Sequence, residues 1–417
     1  MTTKMATPIP TIVYLTEADP FDQTQGASIK SLVTIKALCQ HYRVHVLFVR
    51  RTLQPASTRL PNGLKNLSTE SVYIPDIDKP IKKRLLWLLI NYLHLEPHHF
   101  AAYASATFSN RLAAIIATLN PTYIWADHLR MARYWNKQLE IPLILESHNI
   151  EWRLLYDCYQ MAPKLGHWHH LVWLAEALFT KAKETWYLQQ SKTVLAISTD
   201  DAREMQRLVP NKPVLIYPPL LSLQAPKNTD GIDTKTTSLL FVGNLDWYPN
   251  ADALKYFITQ IWPLISHTKF SVELHVVGQP SSIFNFTDLI SQQSVKTIFL
   301  HHKQPNLEPF YQHADMVILP FRIAGGVRIK ALEAIQHHKP IVTTVAGCKG
   351  LPTTELSCQL PWVTADTPNQ FAQAIERLAT TQHRSAAIKQ TQRYAKAYCD
   401  WATSKIQAIS YFNLPNE

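Results

Sequence analysis

The segment PFRIAGGVRIKALEAIQHHKPIVTT (320–344) concentrates side chains suited to holding a phosphate group. An apolar run ends at Phe321, the pair Gly325 and Gly326 follows, and helical periodicity begins near Val327. Glycines there let the backbone approach a ligand closely, and the first amides of a helix point outward without intrahelical partners. Arg328 and Lys330 place positive charge in the helix's first turn, where its dipole favours anions, so the arrangement calls for a bound anion. Glu333 shares a helix face with Lys330, and its carboxylate can accept from both hydroxyls of a ribose. An amphipathic helix with a solvated charged face accounts for the same residues, and that alternative stays open.

A second loop, VGNLDWYPNADAL (242–254), repeats the logic: Gly243 and Asn244 close a strand, and Asn250 stands at an N-cap position before a helix. Gly278 in VVGQPSS closes another strand. In the first half of the chain, LILESHNIEWRLL (143–155) puts His148 at the carboxyl end of a buried strand, with Glu146, Asn149 and Glu151 around it. A histidine so placed can orient a hydroxyl group or stabilise charge on it, or simply cap the next helix. The N-terminal loop EADPFDQTQGASIK (17–30) carries Gly26 between Gln25 and Lys30, where the first strand meets the first helix. It serves equally as a turn and cap.

These residues need elements that aim them at a common site. Short β-branched runs recur through the first half at 11–16, 43–49, 71–75, 123–127, 143–148 and 193–198, with helical stretches near 26–40, 82–94, 106–119 and 170–190. The polar stretch 222–238 interrupts the pattern, which resumes with runs at 239–244, 273–278, 297–300, 316–321 and 340–344 and helical stretches at 249–261, 306–313, 327–338 and 367–380. Such alternation predicts α/β architecture: two doubly wound Rossmann-like domains of parallel strands facing one another across a cleft. The expected limits are 1–220, a linker at 221–238, a second domain at 239–383, and a helical tail at 384–417 packing back on the first domain. Ligands of open parallel sheets bind outside the carboxyl ends of the strands, where the residues above fall.

Composition narrows the function. A chain of 417 residues with 46% hydrophobic and 17% charged residues can fill two cores and is not disordered. The net charge of +10 is spread over both halves, which suits phosphate-bearing ligands or an anionic lipid surface. No basic stripe interleaved with aromatics points to nucleic acid. The five cysteines are scattered and fit a reducing cytoplasm. The apolar run 85–95 is about half the length a membrane-spanning helix needs. With its basic start, the stretch 79–95 reads either as an interfacial helix on anionic lipid or as a core-packing helix. The paired histidines at 98–99, 301–302 and 337–338 and HWHH at 167–170 show no ligand spacing, so no metal is expected.

The succession VGNLDWYPN, ADALKYFITQIWPLI, GGVRIKALEA and PIVTTVAGCKGL, spanning 242–351, resembles the C-terminal domain of family 4 glycosyltransferases of the GT-B fold. The resemblance implies a retaining, nucleotide-sugar-dependent transferase without a bound metal or other cofactor. By that likeness Arg328 and Lys330 hold the diphosphate with the amides of Gly325, Gly326 and Val327, and Glu333 holds the ribose. The base rests near Leu300 and His301, and Gly243 and Asn244 line the donor side. Lys330 and His148 are the expected catalytic residues. His148, Asn149 and Glu151 match an H-N-x-E pattern, and Gln25 and Gly26 border the acceptor. Many family members carry Glu-x7-Glu, and the first glutamate falls here on Gly325, which leaves the sugar's identity open. The implied acceptor is a glycan or lipid-linked saccharide of a surface polysaccharide or glycolipid, handled in the cytoplasm or on the inner face of the cell membrane. A nucleotide-sugar epimerase and a catalytically silent nucleotide-binding partner are the competing readings.

Overall fold

A computed structural model describes residues 9–22, 26–51, 64–75, 96–161, 170–221, 236–265, 271–282, 284–292, 297–323, 325, 327 and 329–412. Gln25, Gly326, Arg328, the stretch 79–95, residues 167–169 of HWHH and residues 222–235 of the expected linker lie outside the described residues. The chain divides into two compact units: Met1–Tyr159 with His167–Pro219 and Ser404–Glu417, and Leu220–Thr403 with Gln160–Gly166. Among the described residues no helix is long and apolar enough to cross a membrane.

In the first unit the apolar runs form seven parallel strands: β1 (Thr11–Thr16), β2 (Arg43–Arg50), β3 (Leu67–Tyr73), β4 (Tyr123–Asp127), β5 (Leu143–Ser147), β6 (Thr193–Ala196) and β7 (Val214–Ile216). Both faces are covered: Val13 and Leu15 join one core, Ile12 and Tyr14 the other. That explains why the runs are continuously apolar and not alternating. The described helices are α1 (Gly26–Leu38), α2 (His98–Ala101), α3 (Ala106–Leu119), α4 (Glu151–Met161), α5 (His170–Gln190) and α6 (Thr199–Leu208). Strand β6 stops short of the expected 198 because Ser198 turns away to cap α6, its hydroxyl accepting from the Asp201 amide at 3.0 Å. The three-residue β7 was not anticipated; so short a run has no period to read.

The strand order is β3-β2-β1-β4-β5-β6-β7, so the chain reverses its direction of winding between β1 and β4. Their ends are level: Thr16 pairs with Asp127, and Asp127 with Glu146. That reversal opens a crevice at the carboxyl ends.

The second unit repeats the design with β8 (Thr236–Val242), β9 (Ser271–Val277), β10 (Ile298–His301), β11 (Met316–Leu319), β12 (Ile341–Thr343) and β13 (Trp362–Thr364), in the order β10-β9-β8-β11-β12-β13, all parallel. Here the reversal falls between β8 and β11. Its helices are α7 (Tyr248–Tyr256), α8 (Trp262–Ile265), α9 (Phe286–Ser291), α10 (Glu308–His313), α11 (Ile329–Gln336), α12 (Pro368–Ala379) and α13 (Thr381–Gln407). Strand β8 starts inside the stretch read as linker, and α13 belongs to the second unit up to Thr403 and to the first from Ser404. A π turn over Phe257–Ile261 joins α7 to α8 just before Pro263, whose ring cannot donate to the helical ladder.

Arg384, in the first turns of α13, is buried and ties this unit together. Its guanidinium donates to Asp315, to the carbonyls of Leu378 (3.2 Å) and Ala379 (2.9 Å), and to Thr237 Oγ1 (3.4 Å). Asp315 in turn accepts from the Ser238 amide at 2.9 Å. Removing one partner of a buried pair leaves the other charge uncompensated, so Arg384→Met should cost the second unit about 3 kcal/mol. Urea unfolding monitored by tryptophan fluorescence measures it; an unchanged midpoint would show that the network contributes nothing.

Candidate active site

In the first unit three carboxylates converge at the reversal point from three strand ends. Glu146 closes β5 and is fully buried, as is Asp127 at the end of β4; Glu17 follows β1. Each has a basic partner. Lys30, on α1 and only 5% exposed, pairs with Glu146 Oε1 and lies 4.1 Å from the Tyr217 ring centroid. Glu146 Oε2 accepts from Trp125 Nε1 at 2.9 Å. Arg130 contacts both oxygens of Glu17, at 2.9 and 2.8 Å. Ser31 donates to Asp127 Oδ2 at 2.5 Å.

Two stacked histidines complete the cluster, their ring centroids 3.7 Å apart. His148 Nε2 lies 2.7 Å from Asp127 Oδ1 and 3.4 Å from Glu146 Oε1. His128 Nδ1 lies 3.4 Å from Asp127 Oδ1. These are ion-pair separations whose angles miss those of a hydrogen bond, so Asp127 Oδ1, His128 Nδ1 and His148 Nε2 are buried without hydrogen-bond partners among the described residues. The three atoms face one another across these ion pairs, with Asp127 Oδ1 between the two imidazoles.

His128 also has φ 79° and ψ 144°, a backbone conformation suited to glycine. Such strain costs about 1–3 kcal/mol and gathers at functional sites. Sequence reading passed over His128, Asp127 and Arg130: a positive φ carries no signature in residue type, and these side chains meet Glu17 and Ser31 only through the fold.

Burial alone would depress the His128 imidazole, but the carboxylates of Glu17 and Asp127 outweigh it and raise its pKa to about 9. Burial would raise Asp127; the imidazoles of His148 and His128 hold it well below the usual carboxylate range. Glu146 and Glu17 are likewise pulled up by burial and brought below their ordinary values by Lys30 and Arg130 respectively. Asp127, His128 and His148 could together hold a cation, since their ligand atoms lie within 4.8 Å of one another. Their rings lie face to face, however, and Lys30 and Arg130 already offset the carboxylates.

The neighbouring expected residues follow from the same strand end. The carbonyl of Asn149 accepts from Ser147 Oγ at 2.7 Å. Glu151 opens α4, and its amide and that of Trp152 donate to Glu184 at 3.2 and 3.0 Å. Burial raises Glu184 to about 8 despite those two amides. Gly26 opens α1, four residues before Lys30, whereas Gln25 lies outside the described residues.

In the second unit the reversal point is lined by backbone instead of paired charges. Gly243 follows β8, its amide donating to Val277 at 2.9 Å. A Cβ on Gly278 would stand 1.8 Å from the Gly243 carbonyl oxygen, so only glycine fits there. Asn250 does not cap α7, which begins at Tyr248. It lies within the helix's first turn, and its side chain donates to the Asn244 carbonyl at 2.7 Å, holding that loop down. After β11, Arg322 is fixed by buried Asp252, 3.1 Å from Nε, and stacks over Tyr256 at 4.7 Å. Val327 packs against Gly350, whose φ of +83° excludes most side chains. The helix then starts at Ile329, two residues later than expected, with Lys330 second in it. Glu333 is one turn on; its Oε2 accepts from Tyr311 Oη at 2.7 Å, and burial raises its pKa against that bond and Lys330. Gly325 and Val327 are described at the turn; Gly326 and Arg328 are not among the described residues. Leu300 is exposed on β10, while His301 is drawn toward His275, with Nε2 3.0 Å from His275 Nδ1.

Residues 236–381 match the family model of group 1 glycosyl transferases, and this stretch lies wholly within the second unit. The second unit carries a group 1 glycosyltransferase domain. A Klebsiella pneumoniae protein, an uncharacterized 44.6 kDa product of the cps region, is 23% identical over 146 residues, 33% of this chain. The match spans 36% of that relative, about a third of its length. Among solved structures, HepE of Anabaena in complex with UDP and glucose superposes with a TM-score of 0.62 at 11% identity, covering 96% of this chain and 100% of that one. WaaG, a glycosyltransferase involved in lipopolysaccharide biosynthesis, gives 0.61 at 16% identity over 96% and 99%. At such identities the likeness establishes the fold: two parallel α/β sheets of the GT-B type. Lys330 and Glu333 lie on the helix that follows β11, the strand next to β8 where that sheet reverses.

The His128 shift sets a pH dependence. Its folded pKa, about 9, exceeds the unfolded value near 6.5, so its contribution to stability is complete below pH 6.5 and lost as pH rises through 9. Glu184, raised to about 8, acts in the same direction between about pH 4.5 and 8. The melting temperature should therefore fall from pH 6.5 to 9. His128→Gln should flatten the slope between pH 8 and 9, where Glu184 has finished titrating; an unaltered slope would mean that His128 is neutral in the folded protein.

Proposed function

We propose that this chain transfers a sugar from a nucleoside-diphosphate sugar to a glycan or lipid-linked acceptor, with retention at the anomeric carbon, in the synthesis of a cell-surface polysaccharide or glycolipid. The observation that carries this reading is the position of Lys330 and Glu333 on the first turns of α11, following the strand that borders the reversal point of a group 1 glycosyltransferase domain. Lys330 and the amides around Val327 meet the diphosphate, together with Arg328. Glu333, its Oε2 held by Tyr311, meets the ribose. The sugar's bond from C1 to the diphosphate oxygen breaks, the acceptor oxygen bonds C1 on the same face, and the acceptor's proton passes to the departing phosphate. Charge accumulates on that phosphate, and preorganised cations and amides stabilise it there. His148 and Asp127, with unpartnered polar atoms at the first unit's reversal point, orient a sugar hydroxyl.

Gly325 stands where many family members have a carboxylate, so backbone groups or another residue must make that contact with the donor sugar. UDP is the first nucleotide to test, since HepE was solved with UDP and glucose, and the cps-region relative supports a capsule-type polysaccharide as product.

Lys330→Ala should lower transition-state stabilisation by about 2–4 kcal/mol, roughly 30- to 10³-fold in turnover. Radiolabelled-sugar transfer assays measure it, and near-normal turnover would remove Lys330 from the reaction. His148→Ala should cut turnover while leaving the thermal shift induced by nucleoside diphosphate unchanged. Loss of that shift would move His148 to the nucleotide pocket. Conversion of the donor to an isomeric nucleotide sugar without acceptor would identify an epimerase instead.

A further inference from the structure

We propose that Glu273, His275 and His313 form a binding site for a first-row divalent metal ion, zinc foremost, on the outer edge of the second unit's sheet, with His301 orienting one of the ligands. This inference is independent of the transfer reaction.

Glu273 and His275 lie two apart on β9 and therefore share one face of the strand. The parallel register sets Phe299 beside His275, and His301 beside Val277, on the neighbouring edge strand β10. His313 closes α10 and reaches the same face. Residues forty positions apart thus converge, which is why their sequence spacing reveals no site.

Both His275 Nε2 and His313 Nε2 stand 3.2 Å from one oxygen, Glu273 Oε1. Each contact is a hydrogen bond at the long end of the ordinary range. Two ligand atoms each about 2.0–2.1 Å from a tetrahedral zinc ion are also about 3.3 Å apart, so an ion could replace the shared protons with little movement of the side chains. The two rings are nearly perpendicular, at 88°, and do not stack. All three ligand atoms fall within 4.8 Å of one another.

The surroundings match a metal ligand's needs. His275 Nδ1 is 3.0 Å from His301 Nε2, and when His275 donates there its Nε2 lone pair is turned toward Glu273 and His313. Phe299 stacks on His275 with centroids 5.1 Å apart, and Phe310 lies edge-on to His301 at 4.9 Å, which keeps that side apolar. His313 is 63% exposed, giving an ion a route in and leaving a fourth position for water. Two imidazoles and one carboxylate suit zinc better than the hard cations, which prefer oxygen alone. A bound ion would clamp α10 to the edge of the sheet.

The test uses the full chain without a histidine tag, stripped with EDTA. Zinc chloride titrated against a chromogenic chelator should show one equivalent bound, and cobalt chloride should give visible d–d absorption. His275→Gln and His313→Gln should each weaken binding at least tenfold, and His301→Gln about tenfold, as outer partners typically do. His313 is exposed, so its replacement leaves the fold intact, and zinc should raise the melting temperature of the parent chain but not of His313→Gln. Absence of zinc binding, binding that survives His313→Gln and His275→Gln, or binding abolished by His148→Ala instead would each overturn the proposal.

Discussion

Taking a carboxylate out of water costs several kcal/mol unless a charge or hydrogen bonds meet it, and the first unit buries three at adjoining strand ends. Everything near them is arranged around that demand. Lys30 must sit on the inward side of α1 to reach Glu146, Arg130 must stand in the short helical segment Leu129–Tyr134 after β4 to embrace Glu17, and Ser31 must follow Lys30 to hold Asp127. Once those pairs form, the strand ends cannot slide. His128 and His148 then stack on one another, each paired with Asp127. Strain at His128 persists because the surrounding pairs over-determine it.

The second unit's own reversal point is lined with different chemistry. There the backbone comes close together, Gly243 against Gly278 and Val327 against Gly350. Charges used for anchoring are kept away from the turn itself: Arg322 is neutralised by Asp252, and Asp315 by Arg384. Glu333 is held by a tyrosine hydroxyl, with Lys330 one turn earlier on the same helix.

The alternation of apolar runs with helical stretches was enough to read two doubly wound sheets, because strands buried on both faces must be continuously apolar. The glycine pair and a basic first turn likewise marked 325–333 as a candidate site. What escaped was what depends on pairing across the sheet. Lys30 read as the flank of a turn, and Asp127 as the end of a strand, until the fold brought Lys30 to Glu146 and Asp127 to His148. Asn250 read as a cap because side chains of its type favour that position, yet it serves the Asn244 loop from inside the helix. The three-residue strands β7 and β13 had too few positions for any period.

Residue type and local spacing by themselves determined the two parallel α/β sheets, the phosphate-suited turn and the candidacy of His148, because backbone propensity, burial and helix-end electrostatics act over a few residues. Only the tertiary structure decided which charges neutralise one another, that His128 and Asp127 stand with His148, and that Glu273, His275 and His313 converge. The reason is that Coulombic pairing and shared coordination act through space, and strand order alone brings distant residues within reach of each other.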